Sequence, residues 1–209
     1  KAALRGLKGG SSMKRVLEMI AAFRADDDET PIILMGYANP IEAYGPERFC
    51  VDAKKAGVDG LIVVDLPPEE ADLLDAPAAQ AGLDIIRLVA PTTPDERLPV
   101  VFSGASGFVY YVSITGVTGT RTASTDELAQ ALPRLRRATD LPIAIGFGIR
   151  TPELAANAVR VADAAVVASA LLNTLEGTLD AAGQATSRTV PAVLEQLRAL
   201  ADAVHDVRK

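Results

Sequence analysis

Two glycines that follow an apolar run could bind an anion. The run Ile143–Ile145 is typical of a buried strand, and Gly146 and Gly148 come directly after it. Glycine lets the backbone turn sharply and lets a ligand approach without a Cβ atom in the way. A helical pattern begins after Thr151, and the N–H groups of a helix start would point into the same space. A phosphate site and a plain strand-to-helix turn both fit this pattern.

A second pair of small residues lies at the end of the next apolar run. Ala168 and Ser169 follow that run and lead into another helical stretch. Two adjacent strand ends, each opening onto a helix start, suit one phosphate dianion shared between them. The hydroxyl and N–H of Ser169 would add hydrogen bonds, although a serine here also fits an ordinary helix cap. Together the two features favour a phosphate ester as the ligand.

Three further features are candidates for a site. The polar segment Ser113–Ser124 is too long for a minimal strand-to-helix turn, which indicates either a lid over a ligand or a plain polar loop. Tyr37 and Tyr110 lie at or near strand ends, where they would line an apolar pocket or pack in the core. Asp65 is the best acid/base candidate by position, at the end of the run LIVVD. It fits a turn or cap role equally well.

Composition excludes several classes of protein. The chain has 209 residues, of which 49% are hydrophobic and 23% charged, as expected for a soluble globular protein. The formal net charge is -6 without a basic block, which argues against nucleic acid or an anionic membrane surface as partner. We find no signal peptide or membrane span, so a cytoplasmic location is the simplest expectation. The single cysteine, Cys50, is expected to be a buried structural thiol, and neither a metal site nor a Ser-His-Asp set is expected.

The elements that must position these residues alternate strictly. Six continuous apolar runs are typical of parallel strands covered on both faces, at 32–35, 61–64, 85–90, 108–112, 143–145 and 164–167. Helical spacing occurs at 47–56, 69–81, 95–101, 126–138, 152–160 and 190–207. The N-terminal stretch also enters almost directly into a helix.

Two architectures compete for this alternation, a doubly wound open sheet and a (β/α) barrel. The first strand ends in MGYANP, which lacks the Gly-rich turn of a dinucleotide-binding sheet. The small-residue turns instead follow the last two strands, where barrels commonly build a phosphate site. We therefore predict a TIM (β/α)8 barrel with about six of its eight β-α units present. It would form a single domain over residues 1–209 that is incomplete at its N-terminus.

The chain resembles the tryptophan synthase alpha subunit family. The matching strings are PIILMGYANPI, FCVDAKKAGVDGLIVVDLPPEEADLL, LVAPTTPDERL, GFVYYVSITGVTGTR, LPIAIGFGI and ADAAVVASALL. They occur in the family's order and cover essentially the whole chain. The resemblance implies a TIM-barrel lyase of tryptophan biosynthesis that cleaves indole-3-glycerol phosphate into indole and glyceraldehyde 3-phosphate. It also implies a β subunit as partner in an α2β2 complex, with pyridoxal phosphate in that subunit and no cofactor in this chain.

The resemblance assigns substrate-binding roles to seven positions. Those that would hold the phosphate are Gly119, Phe147, Gly148 and Ser169, with Ala168 beside them. The family usually has glycine where this chain has Ala168, which adds a methyl group close to the phosphate. Tyr37 and Tyr110 would line the pocket around the indole ring or its glycerol tail.

Other positions acquire supporting roles by the same resemblance. Thr118, inside GVTG, would support a catalytic aspartate from the lid. Asn39, Pro40 and Pro67 fall in predicted loops that resemble the surface facing the β subunit.

The catalytic residues themselves have no match in the chain. The reaction protonates the indole ring, removes a hydroxyl proton and breaks a C–C bond, a task suited to two carboxylates of different protonation tendency. In the family a Glu and an Asp do this, upstream of the region that matches AALRGLKGG, and no motif match lets Asp65 replace them. We therefore expect a truncated N-terminus and no lyase activity from this polypeptide alone.

Two alternatives stay open. One is another phosphate-binding barrel, such as a pentose-phosphate epimerase or an indole-glycerol-phosphate synthase. Their metal ligands, paired aspartates or strand-end lysine are not visible in the sequence. The other is a non-catalytic regulatory subunit that binds the phosphate ligand and activates a partner when its lid closes.

Overall fold

The computed structural model describes residues 1–113, 125–146 and 148–207, with the backbone alone for residues 125 and 126. Backbone contacts divide the chain into two compact units. Unit 1 consists of Lys1–Leu88 and Pro99–Phe108, and unit 2 consists of Val89–Leu98 and Val109–Lys209. The expectation of a single domain stays a prediction.

Strands and helices alternate along the described residues. The strands are β1 (Ile33–Gly36), β2 (Gly60–Val63), β3 (Asp84–Ile85), β4 (Arg87–Val89), β5 (Val109–Val112), β6 (Ile143–Gly146) and β7 (Ala164–Val166). The helices are α1 (Ala2–Lys8), α2 (Met13–Arg24), α3 (Ala38–Tyr44), α4 (Pro46–Ala56), α5 (Asp75–Ala81), α6 (Leu98–Phe102), α7 (Thr125–Ala138), α8 (Pro152–Val159), α9 (Ser169–Gly177) and α10 (Thr189–Val207). Short 3-10 helices span Pro68–Leu73 and Asp95–Arg97.

The strands form two sheets, in the orders β1-β2-β3 and β4-β5-β6-β7. The pairs β1–β2, β2–β3, β5–β6 and β6–β7 are parallel. All six strand runs predicted from the sequence are confirmed. The run at 85–90 is observed as β3 and β4, interrupted at Ile86. Every residue of β6 is buried, as expected for a parallel strand covered on both faces.

Two predicted helices are shorter than their apolar spacing indicated. The stretch 69–81 contains a 3-10 turn followed by α5, and 95–101 contains a 3-10 turn followed by α6. Pro77 is the third residue of α5 and Pro99 the second of α6. Proline has no N–H to donate to the carbonyl four residues earlier, so neither helix can extend unbroken towards its N-terminus.

Helix α3 was not predicted, and Asn39 and Pro40 lie within it rather than in a loop. Pro40 is the third residue of the helix, within the first turn, where proline is tolerated. The first N–H of the helix, that of Ala38, donates to Asp65 Oδ1 at 2.8 Å. The loop prediction was wrong at these two residues because a carboxylate from a distant part of the sequence caps the helix.

Each unit has its own apolar core. In unit 1 the fully buried Phe49 and Cys50 of α4 pack with Leu61 of β2 and Leu74. The expectation that Cys50 is a buried thiol is confirmed, and burial raises the pKa of this thiol to about 11. In unit 2, α8 packs against α10 around Ala155, Ala158 and Leu200.

The described residues contain no group of three or more His, Cys, Asp or Glu side chains that could hold a metal ion. No helix in this part of the chain is long and apolar enough to cross a membrane.

Candidate functional site

The C-terminal ends of β6 and β7 lie side by side in unit 2. Gly146 and Val166 are partners in the parallel register of these strands. Gly148 and Ala168 each follow two residues beyond that pair, and α9 begins at Ser169. The glycine turn and the N-terminus of α9 therefore leave the same edge of one sheet from neighbouring strands.

Gly148 has the backbone conformation that the sequence indicated. Its φ is 81°, in the left-handed region that side-chain-bearing residues rarely adopt. The next residue, Ile149, is buried against Ala155, Ala158 and Leu200. Gly148 is thus a turn glycine between the buried strand β6 and the buried side chain of Ile149, which packs against α8 and α10.

Gly146 is a glycine for a different reason from the one predicted. It is the last residue of β6, and its φ does not lie in the left-handed region. A Cβ atom at this position would overlap the ring and hydroxyl of Tyr110. The expectation that Gly146 makes the turn was wrong, and its missing side chain makes room for an aromatic ring instead.

Tyr110 lies on β5 and is 8% exposed. Its hydroxyl lies over Gly146, at the end of the strand that leads to Gly148. Burial raises the pKa of this phenol above its usual range, so the hydroxyl stays protonated at neutral pH. Tyr110 is both a core residue and a neighbour of the strand end, and its contact with substrate stays a prediction.

Ser113 was missed as a site-supporting residue by the sequence reasoning. It follows β5 and is 7% exposed, so it is one of the few buried polar residues of the described chain. Its backbone N–H and its Oγ both donate to the carbonyl of Gly146, at 3.1 and 2.9 Å. Its position as the first residue after the apolar run was the only signal in the sequence.

Helix α9 begins without a side-chain cap. Its N-cap residue is Ala168, with φ -128° and ψ -63°, and the side chain of this residue makes no cap hydrogen bond. Ser169 is the first helical residue rather than the N-cap, so the alternative role as a cap was wrong for this serine. Both residues are exposed. The first N–H groups of a helix have no partner within it and are available to a ligand.

Tyr37 lies in unit 1, at the N-cap position of α3, and is 62% exposed. It lines an apolar cavity of about 390 Å³ within that unit, together with Met35 of β1 and Leu7 of α1. An aromatic residue on the wall of a cavity agrees with a pocket role, and its contact with substrate stays a prediction.

Asp65, the acid/base candidate by position, acts as a helix cap. It is exposed and accepts the N–H of Ala38 at the start of α3. The cap alternative is therefore confirmed for this residue. Thr118, Gly119 and Phe147 lie outside the described residues, as does the segment 114–124, and their roles stay predictions.

Parallel strands that alternate with helices, with small-residue turns beyond the last two strands, are typical of the TIM-barrel class. A family model described as tryptophan synthase alpha chain matches residues 1–204. The chain belongs to the tryptophan synthase alpha chain family.

Relatives and solved structures agree with this assignment. The tryptophan synthase alpha chain of Gluconacetobacter diazotrophicus is 74% identical over 207 residues, which are 99% of this chain and 76% of that protein. The crystal structure of tryptophan synthase subunit alpha from Legionella pneumophila has a TM-score of 0.85 and 38% identity, covering 97% of this chain and 73% of that one. A structure of the tryptophan synthase a2b2 complex from Pyrococcus furiosus has a TM-score of 0.77 and 32% identity, covering 95% and 76%. The chain spans about three quarters of the length of these proteins.

Family membership confirms three expectations. The fold is of the TIM-barrel class, the chain has the alpha-subunit role in tryptophan biosynthesis, and the activity is that of a lyase, the alpha reaction. The tryptophan synthase interpretation is therefore correct over the other phosphate-binding barrels. The expected loss of activity in this polypeptide alone is untested and stays a prediction.

Proposed function

We propose that the chain binds indole-3-glycerol phosphate, the substrate of the alpha reaction, with its phosphate at the paired ends of β6 and β7. The observation that carries this is the register of Gly146 with Val166. It puts the left-handed turn at Gly148 and the uncapped N-terminus of α9 at one edge of the sheet. A dianion there can accept hydrogen bonds from both segments.

The electrostatics of this edge do not depend on a lysine. The chain carries a net charge of -6, so no general positive field attracts a phosphate. The nine-residue helix α9 instead supplies free N–H groups and the positive end of its dipole. Ser169, exposed at its first position, adds a hydroxyl donor. The local donors therefore select the anion.

Ala168 is compatible with this site despite its methyl group. Its φ of -128° is negative, so Ala168 does not occupy the left-handed region that favours glycine. We propose that the methyl group narrows the space beside the phosphate.

The apolar indole ring requires aromatic or aliphatic contacts and not the N–H donors that bind the phosphate. We propose that Tyr110 and Tyr37 contact the indole ring or the glycerol tail. Because burial keeps the Tyr110 phenol protonated, it can donate a hydrogen bond but does not serve as a base near neutral pH. By the family resemblance, a Glu and an Asp carry out the proton transfers of the reaction. Neither of them has a match in this sequence.

We also propose a tryptophan synthase β subunit as the partner, since the Pyrococcus relative is described as part of an a2b2 complex. Pyridoxal phosphate would belong to that subunit, and this chain would need no cofactor of its own. A cytoplasmic location and the absence of nucleic acid or membrane partners complete the proposal.

The phosphate site is tested with a pair of matched glycine variants. Gly148→Ala imposes a side chain on a residue with φ 81°, and Gly183→Ala does the same at φ 75°, in the loop between α9 and α10 with open space around it. We expect Gly148→Ala to weaken binding of indole-3-glycerol phosphate at least about tenfold, because the turn must shift. Binding of indole should change less than about twofold.

Isothermal titration calorimetry with the two ligands measures both affinities. Gly183→Ala is expected to cost similar stability without changing either affinity. An equal loss of both ligands in Gly148→Ala, or the same loss in Gly183→Ala, would show that the phosphate does not bind at this turn.

A further inference from the structure

The carbonyl of Gly146 receives two hydrogen bonds from one residue. The backbone N–H of Ser113 donates to it at 3.1 Å, and Ser113 Oγ donates at 2.9 Å. A parallel ladder supplies a carbonyl with one N–H donor, so the hydroxyl is an addition to the sheet. A carbonyl oxygen has two lone pairs, and both are used here. The orientation of this last carbonyl of β6 is therefore fixed from the neighbouring strand.

Gly148 lies between two anchored positions. On its N-terminal side the carbonyl of Gly146 is held by Ser113. On its C-terminal side Ile149 is 5% exposed and packed in the apolar cluster of α8 and α10. The C-terminal anchor is apolar, whereas the N-terminal one is a directional hydrogen bond made by a buried hydroxyl. The N-terminal anchor of Gly148 therefore depends in part on the hydroxyl of one buried serine.

We propose that Ser113 is a positioning residue for the phosphate site. Its hydroxyl holds the end of β6 so that the N–H groups around Gly148 keep the direction in which a phosphate can accept from them. The inference rests on the proposed phosphate site and adds to it a residue that does not touch the ligand. It predicts that loss of the Ser113 hydroxyl weakens binding of the phosphate-bearing substrate and spares binding of indole.

Another serine provides a matched control at the opposite end of β5. Ser106 precedes this strand, donates its N–H to the carbonyl of Ile85 at 2.9 Å, and accepts the N–H of Ile85 on its Oγ at 2.9 Å. Ser106 is partly buried, and its hydrogen bonds are made to Ile85 at the end of β3. It lies before the N-terminal end of β5, so it has no part in the proposed phosphate site.

The experiment compares four proteins: the wild-type chain, Ser113→Ala, Ser113→Thr and Ser106→Ala. Titration calorimetry gives the affinities for indole-3-glycerol phosphate and for indole, and thermal unfolding gives the stability of each protein. We expect Ser113→Ala to weaken binding of indole-3-glycerol phosphate about fivefold, the factor that one misplaced hydrogen bond represents. Its affinity for indole should stay within about twofold of wild type. Ser113→Thr keeps the hydroxyl and should bind both ligands as wild type does.

The control separates positioning from stability. Ser106→Ala should lower the melting temperature about as much as Ser113→Ala does, with neither affinity changed. The assignment fails if Ser113→Ala binds indole-3-glycerol phosphate as wild type does, if it loses both ligands equally, or if Ser113→Thr behaves like Ser113→Ala. Should Ser113→Ala not fold, Ser113→Cys keeps the volume with a weak donor and carries the same expectation.

Failure of the proposed phosphate site has a different signature. In that case the wild-type chain itself binds indole-3-glycerol phosphate no more tightly than indole. That result overturns the site and the role of Ser113 together. A wild-type preference for the phosphate-bearing ligand that Ser113→Ala leaves unchanged overturns the role of Ser113 alone.

Discussion

Each unit contains a parallel strand pair whose start is held by an aspartate, and the hydrogen bonds of the two aspartates are the same. In unit 1, Asp59 Oδ2 accepts the N–H of Ile32 at 2.8 Å, and in unit 2, Asp163 Oδ2 accepts the N–H of Ile143 at 2.8 Å. Each aspartate immediately precedes the second strand of its pair. Each also donates its own N–H to the carbonyl of the same isoleucine, at 2.9 Å. The arrangement fixes the start of β1 against β2 and of β6 against β7.

The arginines that accompany these aspartates differ greatly. Arg24, at the end of α2, places Nη2 2.6 Å from Asp59 Oδ2. The same guanidinium donates to the carbonyls of Gly57, Asp27 and Thr30 at 2.8, 3.2 and 2.7 Å. Its side chain is only 15% exposed. Arg24 thus joins a helix end to two loops as well as to the carboxylate.

Arg136 of α7 makes the corresponding contact in unit 2 from the surface. Its Nη2 lies 3.1 Å from Asp163 Oδ2, and its side chain is 47% exposed. A solvated ion pair contributes little, whereas removal of a largely buried arginine that donates to three carbonyls removes a hydrogen bond from each of them. We therefore expect the contribution of each arginine to stability to depend on its burial and its carbonyl partners, and not on the aspartate that both units share.

The largest expected effect is that of Arg24→Ala. Three carbonyls lose a donor and the Asp59 carboxylate loses its ion-pair partner, so we expect the free energy of unfolding to fall by about 2–4 kcal/mol. Urea denaturation followed by circular dichroism measures the loss. Arg24→Lys should recover only part of it, because an ammonium group cannot reach all four acceptors at once. A loss below about 1 kcal/mol in Arg24→Ala would contradict the role of this residue as a hub.

The paired aspartates should have similar effects in the two units. Asp59→Ala and Asp163→Ala each leave a strand N–H without its acceptor, at an expected cost of about 1.5–3 kcal/mol. The corresponding Asn variants keep an oxygen acceptor and should lose less. The same denaturation series tests this. A large loss in one unit with none in the other would show that the shared geometry does not imply a shared role.

Arg136→Ala should cost no more than about 0.5 kcal/mol, as expected for an exposed ion pair. Salt screens such pairs, and in 0.5 M salt the Debye length is well below its value of about 10 Å at 0.1 M. The loss of stability in Arg136→Ala should therefore be smaller still in 0.5 M salt. If the loss approached that of Arg24→Ala, burial and carbonyl count would not explain the difference between the units.

The smallest effect concerns the alkylation of Cys50. In the native wild-type chain, we expect the extent of alkylation at pH 8 to be close to zero. A thiol with a pKa of about 11 is roughly one-thousandth ionised at that pH, and burial also denies the reagent access. Mass spectrometry after maleimide treatment measures the reaction. Since Cys50 lies in unit 1, Arg24→Ala should increase the rate and Arg136→Ala should not. Equal rates in the two variants would contradict the difference between the units.

The strands were predictable because each is a local pattern. A continuous apolar run needs no knowledge of its partners to indicate a buried parallel strand. The two shortened helices were also within reach, since Pro77 and Pro99 mark the point at which an α-helix cannot continue. Apolar spacing alone overestimates helix length at these positions because it takes no account of proline.

The other differences depend on contacts that sequence order does not show. Helix α3 forms where Asn39 and Pro40 indicate a loop, because Asp65 reaches back to its first N–H. The role of Gly146 depends on a ring from β5, and that of Ser113 on a carbonyl of β6. The glycine and serine were visible as small residues near strand ends, but their partners become neighbours only when the sheet is formed.

The hydrogen bonds between Ser106 and Ile85 have a consequence for the order of folding during synthesis. They attach the segment Pro99–Phe108 to unit 1, although Val89–Leu98, which precedes it, belongs to unit 2. A nascent chain that ends before residue 106 has no partner from that segment for the N–H of Ile85. Unit 1 can therefore complete this pairing only after Val89–Leu98, a segment of unit 2, has been synthesised.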